Sequence, residues 1–231
     1  MRDGRGREHG FDLVGFDLDD TLYPYAEYAR SGLREAARYL GDRTGRYLDD
    51  ELVALYFEEG VTDGTFDVLL DRHDLDPGLT GDLVEAFHGA EEPLTPYPET
   101  ERVLSRLGRD HQVGVITDGR NGRAKIRRLG ISNYLDGVVA TPPLGLSKHQ
   151  VEPFERLLSA LEVDPERAVY VGDDPRVDFR VPNDLGMTTV RLRRGRYRSL
   201  EPAEAAAAPD LEIDRLGRLL AVLGDRGAAE A

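Results

Sequence analysis

Short runs of β-branched and other apolar residues alternate along this chain with amphipathic segments of helical period. Five runs are typical of buried strands: FDLVGFD (11–17), HQVGVIT (111–117), DGVVA (136–140), RAVYVG (167–172) and TTVRL (188–192). The stretches between them, such as ETERVLSRLGR and PFERLLSALEV, carry apolar residues at helical spacing. Strands that alternate with helices predict an α/β fold, in which a doubly wound parallel sheet has helices on both faces.

One interval, residues 24–95, departs from this alternation. Four helical patterns follow one another there without a strand, and the proline-rich segment EEPLTPYPE that closes the interval predicts a linker back to the sheet. We therefore predict a Rossmann-like core formed by residues 11–23 and 96–231. An α-helical domain at 24–95 is inserted into it, and residues 1–10 form a flexible leader.

The composition excludes several kinds of partner and site. With 44 acidic and 30 basic side chains the net charge is −14, which disfavours binding to nucleic acids or to anionic membranes. There is no cysteine, and the five histidines are scattered without the spacing of zinc ligands. No run of 18 apolar residues is present, so we expect a soluble cytoplasmic protein. We expect this protein to be a monomer or a homodimer.

Two clusters of aspartates follow predicted strands. The first comprises Asp17, Asp19 and Asp20, and the second comprises Asp173, Asp174 and Asp178. In an open parallel sheet, ligands bind outside the carboxyl ends of the strands. If the two strands are neighbours, about five carboxylates converge on one crevice and require a cation. Oxygen ligands without thiols, and with few histidines, favour Mg²⁺.

A hydroxyl and an ammonium complete this set. The strand HQVGVIT ends at Thr117, which Asp118 follows, and Lys148 lies in the loop after the strand GVVA. Beside Mg²⁺ these groups predict an anion site, and a phosphoryl group is the favoured anion. Only two of the 30 basic side chains are lysines. The other, Lys125, has no predicted place in the site.

Four signatures, in this order, resemble those of the haloacid dehalogenase superfamily of phosphotransferases: FDLDDTL (16–22), VITDG (115–119), SK (147–148) and VGDDPRVD (171–178). The similarity is to the branch called subfamily I, in which a helical cap is inserted after the first motif. The resemblance implies a Mg²⁺-dependent phosphatase that acts on a small phosphorylated metabolite. It also implies that the insert at 24–95 is a cap that closes over the site and selects the substrate.

The resemblance also assigns roles to residues. Asp17 matches the nucleophile that becomes aspartyl-phosphate, and Asp19 matches the general acid and base. Asp17, the backbone carbonyl of Asp19 and Asp173 match the metal ligands. Thr117, Asp118 and Lys148 stand at the phosphate-binding positions. Asp178 matches an acid that orients metal-bound water, and Asp174 is expected beside it, outside the direct ligands.

The proposed chemistry explains these residue types. A carboxylate attacks a phosphate dianion only when cations neutralise their repulsion, which Mg²⁺ and Lys148 would do. We expect Asp19 to stay protonated because crowded acids raise one another's pKa, so that it can donate a proton to the leaving alkoxide. Two positions depart from the family pattern: His149 replaces a common proline, and Asp118 replaces a common asparagine. Both could alter rate or selectivity.

Three alternatives remain open to different degrees. A haloacid dehalogenase normally lacks the acid that Asp19 supplies, so Asp19 argues against that activity. A phosphomutase shares every motif, and only analysis of the products separates it from a phosphatase. A non-enzymatic phosphate-binding protein is expected to have lost a catalytic group, and none is lost. The opening DLDDTLYP is also similar to pyrimidine-nucleotide phosphatases, so nucleoside monophosphates, sugar phosphates and phosphoglycolate all stay open as substrates.

Overall fold

A computed structural model of the chain describes residues 10–224. The predicted leader therefore lies outside the described residues except for Gly10. The chain divides into two compact units. One unit takes the chain up to Pro24 and again from Thr95 onward, and the other is Tyr25–Leu94. The roles of catalytic core and cap assigned to these segments remain predictions.

The first unit is built on a parallel sheet, to which residues 10–224 contribute six strands. They are β1 (Leu13–Phe16), β2 (Gln112–Thr117), β3 (Gly137–Ala140), β4 (Ala168–Gly172), β5 (Thr188–Leu192) and β6 (Leu211–Ile213). The strand order is β3-β2-β1-β4-β5-β6, and every neighbouring pair is parallel. This is the order of a doubly wound Rossmann-type sheet, so the predicted fold class is confirmed.

The second unit contains four α-helices. They are α1 (Tyr25–Thr44), α2 (Asp49–Phe57), α3 (Thr65–Arg72) and α4 (Thr80–Gly89). Each coincides with one of the four helical patterns in the sequence. The unit has its own aromatic cluster, in which the rings of Tyr28 and Phe87 meet edge to face with centroids 5.6 Å apart. Tyr28 also hydrogen-bonds His88 at 2.8 Å, so a packed interior of apolar and aromatic side chains holds these helices together.

The remaining helices flank the sheet. They are α5 (Thr100–Leu107), α6 (Gly122–Arg128), α7 (Glu152–Leu161), α8 (Arg180–Leu185) and α9 (Arg218–Val222). The sequence pattern did not indicate α8, because this helix is short and contains Pro182. The proline lies in its first turn, where the missing N–H has no helical partner to lose. None of the helices within residues 10–224 combines the length and apolar character needed to cross a membrane.

The sheet core fixes where the polar strand ends lie. Strands β1 and β4 are buried along their whole length, and α7 packs on the sheet, where Phe154 meets Tyr170 with ring centroids 5.1 Å apart. The strand order reverses direction between β1 and β4, which makes this the topological switch point where such sheets bind ligands. The backbone N–H of Asp17 donates to Val171 at 2.8 Å, so the residues that follow both strands lie side by side.

Candidate active site

Asp17 lies at the switch point, directly after β1, and is buried. Its Oδ1 accepts a hydrogen bond of 2.6 Å from the ammonium of Lys148. The same ammonium donates to Oδ1 of Asp178, also at 2.6 Å. Lys148 is only 3% exposed, so the three side chains form a buried charge network in which one cation bridges two carboxylates.

The loop that carries Lys148 is held by Asp118. Both carboxylate oxygens of Asp118 accept from the backbone N–H of Lys148 at 3.0 Å, and Oδ1 also accepts from the hydroxyl of Thr141 at 2.6 Å. The side chain of Asp118 is therefore engaged with the lysine loop. This contact gives a physical reason for aspartate at a position where the family pattern has asparagine, because both of its oxygens can accept.

Asp173 and Asp178 both come from the segment that follows β4. One oxygen each of Asp17, Asp173 and Asp178 lie within 4.8 Å of one another. Within residues 10–224, Oδ2 of Asp173 is buried and has no hydrogen-bond partner. A buried carboxylate oxygen without a partner, beside a second carboxylate, fits the ligand preference of Mg²⁺. The predicted metal residues Asp17 and Asp173 therefore come together.

The acidity of this cluster reflects its burial. Burial raises the pKa of Asp17 to about 7, although the charge of Lys148 opposes the rise. Burial, reinforced by the charges of Asp17 and Asp178, raises the pKa of Asp173 to about 9. Burial also raises the pKa of Asp178, against the opposing charge of Lys148. One lysine does not neutralise these carboxylates, and a divalent cation would supply the missing positive charge.

Asp174 has a different environment from its neighbours. Its carboxylate accepts from the guanidinium of Arg176 at 2.8 and 2.9 Å and from the backbone N–H of the same residue at 3.0 Å. Its own backbone N–H donates to Oδ2 of Asp178 at 2.9 Å. Asp174 thus shapes the turn after β4 and, through its main chain, fixes Asp178, while its side chain faces a cation.

Asp19 is bound by a residue that the sequence analysis left out. The ammonium of Lys125 lies 2.8 Å from Oδ1 and 2.9 Å from Oδ2 of Asp19, and the hydroxyl of Tyr23 also donates to Oδ1. Burial would raise the pKa of Asp19, but Lys125 and Tyr23 outweigh burial and lower it. The expectation that Asp19 stays protonated through the crowding of acids is therefore wrong for this structure, as is the expectation that Lys125 has no place in the site.

The rarity of lysine was the signal for Lys125. The chain uses arginine for nearly all its cations, with lysine only at 125 and 148. Both lysines are almost fully buried against aspartates of the first cluster. A compact ammonium on a flexible stem suits such sites better than a planar guanidinium. The rarity of lysine in this chain therefore marks Lys125 as well as Lys148.

Thr117 ends β2 and is buried. Its Oγ1 accepts from the backbone N–H of Gly119 at 3.1 Å, and this bond folds the loop after β2 back onto the strand end. Asp118, the next residue, binds the backbone N–H of Lys148. The phosphate-binding positions predicted at Thr117 and Lys148 are therefore connected through Asp118.

A loop after β5 holds the first cluster from another side, and it too was missed. Arg194 donates to the carbonyl oxygen of Asp20 at 3.2 Å and to that of Thr21, while Arg196 donates to the carboxylate of Asp20 at 2.6 Å. Asp20 has φ of 61°, a left-handed conformation that is uncommon for residues other than glycine but that aspartate tolerates better than most. The hydrogen bonds from Arg194 and Arg196 stabilise the residue in this conformation.

Comparison with known proteins adds family context to this geometry. A family model described as haloacid dehalogenase-like hydrolase matches residues 11–184. Glyceraldehyde 3-phosphate phosphatase of Methanopyrus kandleri is 37% identical over 223 residues, covering 91% of this chain and 96% of that protein. Ribulose-1,5-bisphosphate 5-phosphatase of Halopiger xanaduensis is 30% identical over 232 residues, covering 89% and 96%. The crystal structure of a 2-haloacid dehalogenase from Pseudomonas syringae pv. tomato superposes with a TM-score of 0.67 at 25% identity, covering 93% and 98%.

Proposed function

Because this chain belongs to the family of haloacid dehalogenase-like hydrolases, we propose that it is a Mg²⁺-dependent phosphatase that hydrolyses a small sugar phosphate through phosphorylation of Asp17. One observation carries the proposal. Two carboxylates two residues apart each have their own buried lysine, with Lys148 on Asp17 and Lys125 on Asp19. A nucleophile and a separate proton-transfer group are the two functions that such a reaction requires.

Asp17 is the nucleophile in this proposal. The ammonium of Lys148 already touches its Oδ1 and would lie beside a phosphoryl group delivered to the same carboxylate. There it reduces the repulsion between the two anions and stabilises the charge on the equatorial oxygens. Asp178 holds the other side of Lys148, so the ammonium is positioned before the substrate arrives.

The metal would be held by the carboxylates of Asp17 and Asp173 together with the main-chain carbonyl of Asp19. A bound Mg²⁺ supplies positive charge that stabilises the phosphoryl oxygens. The partnerless oxygen of Asp173 and the raised pKa values of Asp17 and Asp173 support this ligand set, because both describe carboxylates that lack enough positive charge.

Asp19 is the proton-transfer group. In the second half of the reaction a water molecule attacks the aspartyl-phosphate, and Asp19 accepts its proton. The hydrogen bonds from Lys125 and Tyr23 favour the carboxylate form, which is the form that this step needs. A carboxylate at this position also argues against haloacid dehalogenase activity, despite the structural similarity to such an enzyme.

The substrate class follows from the relatives. The names glyceraldehyde 3-phosphate phosphatase and ribulose-1,5-bisphosphate 5-phosphatase both describe removal of phosphate from a terminal CH₂–O group of a short sugar. We therefore propose a phosphorylated primary alcohol of a small sugar as the substrate. A primary alkoxide is a poor leaving group and takes up a proton as it departs. In the first step Asp19 donates this proton from its minor protonated form, and in the second step it regains a proton from water.

A phosphate-release assay over a substrate panel tests the proposal. The panel contains glyceraldehyde 3-phosphate, ribulose 1,5-bisphosphate, phosphoglycolate, phosphoserine and nucleoside 5′-monophosphates, each with Mg²⁺ or with EDTA. We expect the highest kcat/KM for one of the two sugar phosphates and no turnover in EDTA. Asp17→Asn controls for contaminating phosphatases.

Four outcomes would contradict the proposal, the last of them in a separate chloride-release assay. Preference for a nucleotide or an amino-acid phosphate would contradict the substrate class. Full turnover in EDTA would contradict the proposed requirement for Mg²⁺. Conversion of the sugar phosphate to an isomer without release of phosphate would indicate a phosphomutase, and release of chloride from 2-chloropropionate would indicate a dehalogenase.

A further inference from the structure

The carboxylate of Asp19 is held from two directions. Lys125 contacts both of its oxygens at 2.8 and 2.9 Å, and the hydroxyl of Tyr23 donates to Oδ1. Lys125 is 1% exposed and Tyr23 is fully buried. Burying an ammonium is costly unless it is paired, and this ammonium is paired with the one carboxylate to which the proposed reaction gives a proton-transfer role.

The loop after β2 is shaped to admit this pair. Lys125 lies on α6, which begins at Gly122, and its side chain reaches Asp19 past the backbone of Gly119. A Cβ atom at Gly119 would lie 2.5 Å from Oδ2 of Asp19 and 2.8 Å from Nζ of Lys125. At those distances the carboxylate of Asp19 or the ammonium of Lys125 would have to shift to make room for a side chain. Glycine at this position therefore leaves the space in which the ammonium and the carboxylate meet.

We propose that Lys125 is a positioning residue, which fixes the carboxylate of Asp19 where it can take a proton from the water that hydrolyses the aspartyl-phosphate. This inference rests on the proposed function and assigns a role to a residue outside the four motifs. The two oxygens of Asp19 are nearly equidistant from Nζ, so the ammonium restrains the rotation of the carboxylate as well as its position. Tyr23 provides a second restraint on Oδ1.

The two half-reactions depend on Asp19 to different extents. In the first, an oxygen of Asp17 bonds to phosphorus, the bond from phosphorus to the leaving oxygen breaks, and p-nitrophenolate departs with the electron pair. It needs no proton. In the second, a water oxygen bonds to phosphorus, the bond to Asp17 breaks and returns its electron pair to the carboxylate, and Asp19 accepts the proton from water. Misplacing Asp19 therefore slows the second step selectively.

Rapid-quench kinetics of Lys125→Met with p-nitrophenyl phosphate tests this role. We expect a burst of about one nitrophenolate per enzyme, followed by steady turnover reduced on the order of 10²-fold relative to the parent. Intact-mass spectrometry should then detect one phosphoryl group on the protein. Arg127→Met removes a cation from an exposed position on the same helix and should behave like the parent.

Gly119→Ala tests the positioning of Asp19 in a second way. It crowds the pair without removing a charge, and we expect the same burst and slow second phase. Gly81→Ala, where a Cβ meets nothing within 4 Å, is the matched control.

Two results overturn the inference. The first is a steady turnover of Lys125→Met within about twofold of that of the parent. The second is a burst and a steady turnover that fall together in both Lys125→Met and Gly119→Ala, as loss of folded enzyme would produce. A parent protein that releases no phosphate from any ester overturns the proposed function itself.

Discussion

The carboxylate cluster predicts that the metal-free protein loses stability as the pH rises. Asp17 and Asp173 have pKa values of about 7 and about 9, whereas an aspartate in an unfolded chain titrates near 4. Between these values the folded state keeps protons that the unfolded state has released. The folded state therefore binds more protons in this range, and the free energy of unfolding decreases with increasing pH.

The size of the effect follows from the same values. One pKa unit corresponds to about 1.4 kcal/mol, so the rise from 3.8 to about 7 at Asp17 amounts to a loss on the order of 4 kcal/mol once the pH exceeds 7. Asp173 extends the loss toward pH 9. For a chain of this size, about 4 kcal/mol lowers Tm on the order of 10 °C. Mg²⁺ should reverse the loss, because it binds only the deprotonated carboxylates.

Thermal unfolding at pH 5.5 and at pH 8.5, in EDTA and in Mg²⁺, measures the part of this loss that falls between the two pH values, which is about 2 kcal/mol from Asp17 together with the contribution of Asp173. We expect a large fall of Tm with pH in EDTA and a small one in Mg²⁺. Asp173→Asn is the matched variant, since an amide keeps the shape of the side chain and can donate to a neighbouring carboxylate. Its Tm in EDTA should fall less with pH, and Mg²⁺ should not raise it. A parent Tm that is constant or rises between the two pH values in EDTA would refute the reasoning.

Three further predictions concern single residues. Lys148→Met should lower kcat/KM for the best substrate on the order of 10²-fold or more, because it removes the cation that we propose faces the phosphoryl group. Steady-state kinetics that match those of the parent would mean that another group holds the phosphate. Asp19→Asn should release one p-nitrophenolate per enzyme and then stall as the phosphoenzyme. With an alkyl phosphate the burst should largely vanish, since an alkoxide needs a proton donor. Turnover of alkyl phosphates like that of the parent in rapid-quench kinetics would remove Asp19 from the mechanism. Gly195→Ala should destabilise the protein by roughly 1–3 kcal/mol, because Gly195 has φ of 68° and a Cβ there would lie 2.4 Å from Asp20; an unchanged urea midpoint would contradict this strain.

The sheet and the acidic strand ends could be predicted from the sequence because both depend on local patterns. The run TTVRL matches β5 residue for residue, since β-branched residues bounded by polar turns leave little ambiguity. The positions of Asp17 and Asp173 followed from a general rule about the carboxyl ends of parallel strands. That rule holds whatever the details of the loops, and the two strands do prove to be neighbours.

The contacts around these aspartates could not be predicted in the same way. Lys125 reaches Asp19 across 106 residues of sequence, and Arg196 reaches Asp20 across 176. Such contacts depend on how a helix is rotated on the sheet and how a loop turns back, which no periodicity encodes. The protonation of Asp19 was predicted wrongly for the same reason, because its pKa depends mainly on burial and on a cation that only the fold brings near.

The strand order also determines when the enzyme can begin to work during its own synthesis. Strand β1 leaves the ribosome first but lies in the middle of the sheet, and its neighbours β2 and β4 begin only at residues 112 and 168. The unit Tyr25–Leu94 is continuous in sequence and is fully translated before either neighbour exists. A nascent chain can thus complete its helical insert while β1, which Asp17 directly follows, still lacks partner strands. We expect the proposed active site to assemble only after the ribosome has passed Arg196, because Arg194 and Arg196, which bind Asp20 and Thr21, are among the last of its parts to be made.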